Sequence, residues 1–265
     1  MLRKALTIAG FDGSGGAGLQ ADIKTFSALG CYGMTVLTAL PIQNTTGVSN
    51  CYPIPIKAVE EQLESIFSDI TPDVIKIGML FNQEIISLIA QFLAKHAKGI
   101  PIVIDPVMVA KSGDRLLQLD AIDALKRELF KQAAIVTPNL DEASVICGKI
   151  ISTKEEMLSA GQVFLDLGAK AVLVKGGHLK HETCPDLLLT ADLNHWLDTV
   201  RIETLNTHGT GCTLSAAIAA KLALGNNILD SCIEAKEYIT GAIKSFQHEV
   251  IGKGHGPVNH FHAIW

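Results

Sequence analysis

The sequence is short of the features that mark secreted, redox and membrane chains. Its six cysteines, Cys31, Cys51, Cys147, Cys184, Cys212 and Cys232, include no C-x-x-C pair. No signal-like segment precedes the first apolar run, so reduced thiols in a cytoplasmic protein are expected. No apolar run reaches the roughly 18 residues a bilayer-spanning helix requires, because Lys, Asp, Glu or Gly interrupts each one. Positive charge is not in excess: the formal net charge is −5, which gives no general attraction for nucleic acid or anionic lipid. A Walker A sequence, G-x-x-x-x-G-K-[ST], is also missing, so any use of a nucleoside triphosphate relies on another phosphate cradle.

What is present fits a compact globular enzyme: 48% hydrophobic against 18% charged residues, with 23 Gly and 9 Pro in 265 residues. Short apolar runs alternate with helical-period segments, the pattern of βαβ units around a mainly parallel sheet. Strands are expected over residues 5–9, 35–40, 74–77, 102–105, 134–137 and 171–175. Helices are expected over 17–29, 56–70, 83–97, 119–130 and 154–167. A hairpin-like stretch, 186–202, precedes two long helices over 211–224 and 229–249. No repeat, low-complexity tract or linker-like composition interrupts the chain, so one α/β domain over 1–265 is expected, with its site where strand C-terminal ends meet the next helix.

Two glycine clusters stand at such places. G-F-D-G-S-G-G-A-G, residues 10–18, contains a formal G-x-G-x-x-G at Gly13, Gly15 and Gly18. A dinucleotide fold would also want a carboxylate at the end of the second strand to hold the ribose. That strand instead ends Thr38-Ala39-Leu40, which favours a substrate loop or a plain tight turn. Asp22, one turn beyond Gly18, is either directed at a bound ligand or a solvated helix residue. The second cluster, N-T-H-G-T-G-C-T over 206–213, leads into an apolar helix whose first N–H groups can bind phosphate. A helix N-terminus favours thiolate over thiol, so Cys212 is either a proton acceptor or an inert buried cysteine.

Asp105 closes a strand in I-V-I-D-P, and Asn139 and Glu142 follow another in T-P-N-L-D-E-A. Carboxylates so placed can hold Mg²⁺ directly or through water, while Asn139 with its acidic neighbours also reads as a helix cap. Lys175 ends a strand in V-K-G-G-H, aimed over the sheet edge toward a phosphate or lying as a surface charge. Three histidines crowd the end, G-H-G-P-V-N-H-F-H, without the Cys, Asp or Glu that would complete a metal shell.

Taken together, T-I-A-G-F-D-G-S-G-G-A-G-L-Q-A-D, T-A-L-P-I-Q-N-T, K-I-G-M-L, D-P-V-M-V-A-K-S-G-D, T-P-N-L-D-E-A, K-G-G-H and N-T-H-G-T-G-C-T-L-S-A-A resemble the hydroxymethylpyrimidine phosphate kinases of thiamin biosynthesis. These form a branch of the ribokinase-like superfamily, and the resemblance runs from Leu6 to His262. It implies a three-layer α/β/α fold and a kinase, dependent on ATP and Mg²⁺, that phosphorylates 4-amino-5-hydroxymethyl-2-methylpyrimidine and then its monophosphate. By matching position, Gln43 would bond the aminopyrimidine, Asp22 would anchor the ring or hydroxymethyl region, and Gly10, Met79 and Val107 would line the pocket. Cys212 would be the base, Gly209, Thr210, Gly211 and Cys212 the anion hole, and Lys175 a nucleotide-phosphate contact. Asp105 and Glu142 would organise magnesium, with Asn139 near the triphosphate. A homodimer is expected.

Phe11, Gly13, Pro41 and Asn259 depart from the residues usual in this family, and the first and third bear on the pocket. A pyridoxal or pyridoxine kinase of the same superfamily is the nearest alternative. A dinucleotide-dependent oxidoreductase and a non-catalytic nucleotide-binding protein are the alternatives of a different class.

Overall fold

The structure, a computed structural model, describes residues 2–108, 119–179 and 182–265. The segment V-A-K-S-G-D, the second half of one motif above, therefore lies outside the described residues. The chain runs β1 (Arg3–Ala9), α1 (Gly18–Ala28), β2 (Cys31–Leu37), β3 (Ala39–Asn44), β4 (Gly47–Pro53), α2 (Ile56–Asp69), β5 (Val74–Ile77), α3 (Gln83–His96) and β6 (Ile102–Ile104). It continues through α4 (Leu119–Ala124), β7 (Ile135–Val136), α5 (Leu140–Cys147), α6 (Lys154–Asp166), β8 (Ala171–Val174), β9 (Asp186–Thr190), β10 (Asn194–Leu197), α7 (Thr210–Ala223) and α8 (Ile228–Ser245).

The main sheet has the order β10-β9-β8-β7-β6-β5-β1-β2. Strands β1, β2 and β5 to β8 pair in parallel, and β9 and β10 close one edge as an antiparallel hairpin. Central parallel strands are covered on both faces, which is why they read as unbroken apolar runs. Alternation along each strand divides the core in two. Ile8, Ile75, Ile77 and Ile104 face one layer with Leu63, Ile86 and Phe164 of α2, α3 and α6, while Val74, Val103 and Ile135 face Ala216, Ala220 and Ile239 of α7 and α8. These two helix layers around one sheet are the expected α/β/α arrangement.

Three expected boundaries are corrected. The strand placed at 35–40 is two elements: β2 begins at Cys31, and Ala39–Leu40 opens the separate hairpin β3–β4. Gly33 hides the alternation of β2, because a side chain there would meet Ile23 Cδ1 at 2.7 Å. The hairpin is hidden because β3 buries only Ala39 and Pro41 and β4 buries no residue fully, and its prolines are tolerated because both strands are edges. The helix placed at 119–130 is α helical only to Ala124; a π turn over Leu125–Leu129 and a 3₁₀ turn over Phe130–Gln132 follow, bringing Leu125, Leu129 and Phe130 all into the core. The last helix stops at Ser245 rather than 249, where the Asn206 side-chain amide donates to the Phe246 and Glu249 carbonyls.

The chain leaves β1 for β2 on one side and returns to β5 on the other, so the crevice beyond β1 and β5 is a topological switch point, where ligands of open α/β sheets bind.

Candidate active site

A cavity of about 670 Å³ opens at that crevice. Twelve of the thirteen site residues expected from sequence line it: Gly10, Gln43, Met79, Asp105, Val107, Asn139, Glu142, Lys175, Gly209, Thr210, Gly211 and Cys212. The exception is Asp22. It is fully buried behind the wall, where Oδ2 accepts from Thr7 Oγ1 at 2.6 Å and Lys76 Nζ at 2.8 Å. The expected contact of Asp22 with a substrate ring therefore gives way to a different role, holding the ammonium of Lys76, which does reach the cavity.

The two glycine clusters meet. Asp12, buried in the first, accepts from the N–H groups of Gly16 and Ala17, from Ser14 N and Oγ, and faces His208 Nε2 of the second at 2.8 Å. Burial alone would raise this carboxyl; His208 and Ser14 outweigh it and hold the value at about 2. Gly209 packs directly on this loop. Its φ of +76° suits glycine, and a Cβ there would stand 1.8 Å from the Gly16 carbonyl oxygen.

Gly209 caps α7 with no side-chain hydrogen bond, whereas α3, α5, α6 and α8 begin with Asn82, Asn139, Thr153 and Asn227 bonded to their first turns. The first residues of α7, whose leading N–H groups have no helical carbonyl to bond, line the cavity at the positive end of the helix. The Lys175 ammonium sits over the same turn, 3.3 Å from where a Gly211 Cβ would be. It also donates to Asp105 Oδ1 at 3.0 Å, and Ser215 Oγ donates to Asp105 Oδ2 at 3.2 Å.

Burial would raise Asp105, but Lys175 and Lys76 reverse the sign and hold it below the usual carboxylate value. Glu142 is different: burial pushes it up to about 7 despite Lys175, with the Asp105 charge adding to the rise. The cap reading of Asn139 and Glu142 is what the geometry shows. They form a reciprocal capping box, Glu142 N to Asn139 Oδ1 at 2.9 Å and Asn139 N to Glu142 Oε2 at 2.8 Å, and both line the cavity.

The expectation of a lowered Cys212 thiol is corrected. Burial raises it to about 11, against the pull of Lys76 and of the Gly18 backbone N–H. Desolvation of a thiolate outweighs the helix terminus here, so the thiol is the resting form at neutral pH. Gln43, on β3, donates from Nε2 to the Phe11 carbonyl at 3.1 Å. That carbonyl only accepts, so it fixes which end of the amide faces it. The three C-terminal histidines do not converge: His260 bonds Thr213 Oγ1, His255 bonds the Leu205 carbonyl, and His262 packs on Tyr238.

The phosphomethylpyrimidine kinase family profile matches residues 12–259. The chain belongs to that family. It is 49% identical over 262 residues, 98% of each chain, to the hydroxymethylpyrimidine/phosphomethylpyrimidine kinase of Rhizobium meliloti (strain 1021). Among solved structures it superposes on the phosphomethylpyrimidine kinase of Clostridium difficile 630 with a TM-score of 0.81 at 44% identity, covering 91% of this chain and 99% of that one. It also superposes on an ADP complex of Bacillus subtilis pyridoxal kinase with a TM-score of 0.90 at 39% identity, covering 98% of each. The phosphomethylpyrimidine kinase fold is thus shared with a pyridoxal kinase, and both fall in the ribokinase-like superfamily.

For a phosphomethylpyrimidine kinase read from sequence alone, three features of this site were missed. Lys76 had a signal: a lysine inside a four-residue central strand must be buried and therefore paired. The Asp12–His208 contact joins residues far apart in sequence and had none. Nor did the apolar lobe of the cavity, where Val200, Ile202, Leu214, Ile239 and Ile243 from the β10–α7 connection, α7 and α8 come together. Among the described residues no helix is long and apolar enough to cross a membrane.

Proposed function

We propose that this chain, as one kinase domain, transfers the γ-phosphoryl of ATP to 4-amino-5-hydroxymethyl-2-methylpyrimidine and then to its monophosphate, giving the diphosphate. The observation that carries this reading is the meeting of Gly10–Gly18 and Thr207–Cys212 over one cavity, with an uncapped helix N-terminus, Lys175 and Cys212 on the same wall. The ring lies between Gly10, Met79 and Val107, where Gln43, its Nε2 held by Phe11, turns Oε1 toward a donor such as the 4-amino group. The apolar lobe, lined by Val200, Ile202, Leu214, Ile239 and Ile243, takes the adenine. The first N–H groups of α7 and the Lys175 ammonium receive the charge that develops on the transferring group. Cys212, in the thiolate form that burial makes scarce at neutral pH, takes the hydroxymethyl proton.

The carboxylates suit a divalent cation. Asp105 and Glu142 share one buried wall with Lys175, and burial together with the neighbouring Asp105 charge raises Glu142 to about 7, a cost that a cation between the two carboxylates would offset. Asp105 and Glu142 would hold Mg²⁺ directly or through water, with Asn139 beside the triphosphate; the ion would neutralise phosphate charge.

A second reading, pyridoxal kinase, is favoured by the 0.90 TM-score to such an enzyme. Mass spectrometry of products from ATP with the pyrimidine, its monophosphate and pyridoxal separates the two. Formation of the pyrimidine diphosphate supports the first reading; phosphorylation of pyridoxal alone would replace it with the second.

A further inference from the structure

The proposed reactions put two different nucleophiles at one place. In-line transfer fixes the attacking oxygen beside Cys212 and opposite the leaving ADP. In the first reaction that oxygen belongs to a neutral alcohol: the new O–P bond forms, the bond from the γ-phosphorus to ADP breaks, and the hydroxyl proton must leave. In the second it belongs to a phosphate dianion. The same bonds form and break, and the charge on the monophosphate and ATP equals that on the diphosphate and ADP, so no proton has to be removed. A base is then of no use, and the obstacle is repulsion between two anions. That calls for a cation near Cys212 that is not already committed to the nucleotide.

Lys76 answers that description. It projects from the centre of β5 on the face toward α1 and α7 and reaches the cavity wall. It is fully buried, and among the described residues its ammonium makes one hydrogen bond, to Asp22 at 2.8 Å. Two of its three donors are left. Lys175 is committed elsewhere, to Asp105 and the α7 terminus. Of the two lysines, Lys76 exerts the larger pull on the Cys212 sulfur, and Asp22 keeps Lys76 charged in spite of its burial.

Resting on the function proposed above, we infer that Lys76, held by Asp22, is what admits the monophosphate as the second nucleophile. It screens the phosphate in the place where Cys212 serves the alcohol.

The test compares kcat/KM on the pyrimidine and on its monophosphate for wild type, Cys212→Ala and the charge-balanced double variant Asp22→Asn/Lys76→Met, with each protein's fold checked by circular dichroism. Replacing both partners avoids stranding one buried charge. The double variant is expected to lose at least about tenfold more on the monophosphate than on the alcohol, the scale of one lost unit charge at short range. Cys212→Ala is expected to lose about 10²-fold or more on the alcohol and far less on the monophosphate. A merely structural role would lower both activities together. Equal losses on the two substrates in the double variant would overturn the inference. If that variant does not fold, equal losses in Cys212→Ala overturn it instead. Wild-type protein inactive on both substrates would overturn the proposed function itself, whereas wild-type turnover with unchanged ratios in the variants would sink this inference alone.

Discussion

Replacing Gly209 by alanine should separate catalytic placement from stability. Two costs arise. An L-residue at φ +76° costs about 1–2 kcal/mol in the left-handed region. The added Cβ would also lie 1.8 Å from the Gly16 carbonyl oxygen, where ordinary C···O contact begins near 3.3 Å, so the two loops must part by about 1.5 Å. Overpacking of that kind costs a further ~1–3 kcal/mol. Since a misplacement of about 1 Å can lower turnover about 10²-fold, kcat should fall by that order.

Gly30→Ala is the control. Its φ is +80° with nothing within 4 Å of the new Cβ, so it carries only the backbone cost. For a chain of this size each kcal/mol lowers Tm by about 2–4 °C. Gly30→Ala should therefore melt a few degrees lower with full activity, and Gly209→Ala should melt lower still and turn over slowly. The assay is ADP release at saturating substrates alongside thermal melts. If Gly209→Ala kept kcat within twofold of wild type, the contact between the two loops would not position the reaction.

Cys212→Ala should bind nucleotide as wild type does in a titration yet lose most turnover on the alcohol; full turnover would remove Cys212 as base. Because burial raises this thiol to about 11, kcat/KM on the alcohol should climb about tenfold per pH unit through neutral pH toward that value, and a flat profile would mean that no thiolate takes part. Glu142→Gln should stabilise the ligand-free protein on the order of 1 kcal/mol, about 2–4 °C in Tm, at pH 8 but little at pH 4. The folded Glu142 value, about 7, lies above the ordinary 4.5, so its contribution is fully present below 4.5 and is lost as pH rises through 7. Equal shifts at the two pH values would contradict this, and activity should fall in the same variant. Asp12, at about 2, has the opposite sign. Its contribution is present above 3.8 and is lost as pH falls toward 2, so His208→Leu should raise the acid-unfolding midpoint.

The sequence by itself determined the α/β/α layering, because unbroken apolar runs and helical periods are local patterns that survive without knowledge of contacts. It also placed the glycine clusters, Asp105, Asn139, Glu142 and Lys175 at strand ends, and the sheet then gathered them, since parallel strands carry their C-terminal ends to one edge. The β3–β4 hairpin was not legible, because β3 turns the small Ala39 and Pro41 inward and leaves Ile42 exposed, so its apolar residues do not trace its buried face. Tertiary structure alone decided the rest, in each case through burial or long-range contact. It took Asp22 out of the cavity and gave it to Lys76, and it joined Asp12 to His208 across 196 residues. It also reversed the sign for Cys212. A helix terminus is visible in sequence, but the depth at which its thiol is packed, which sets the cost of a thiolate, is a property of the folded chain.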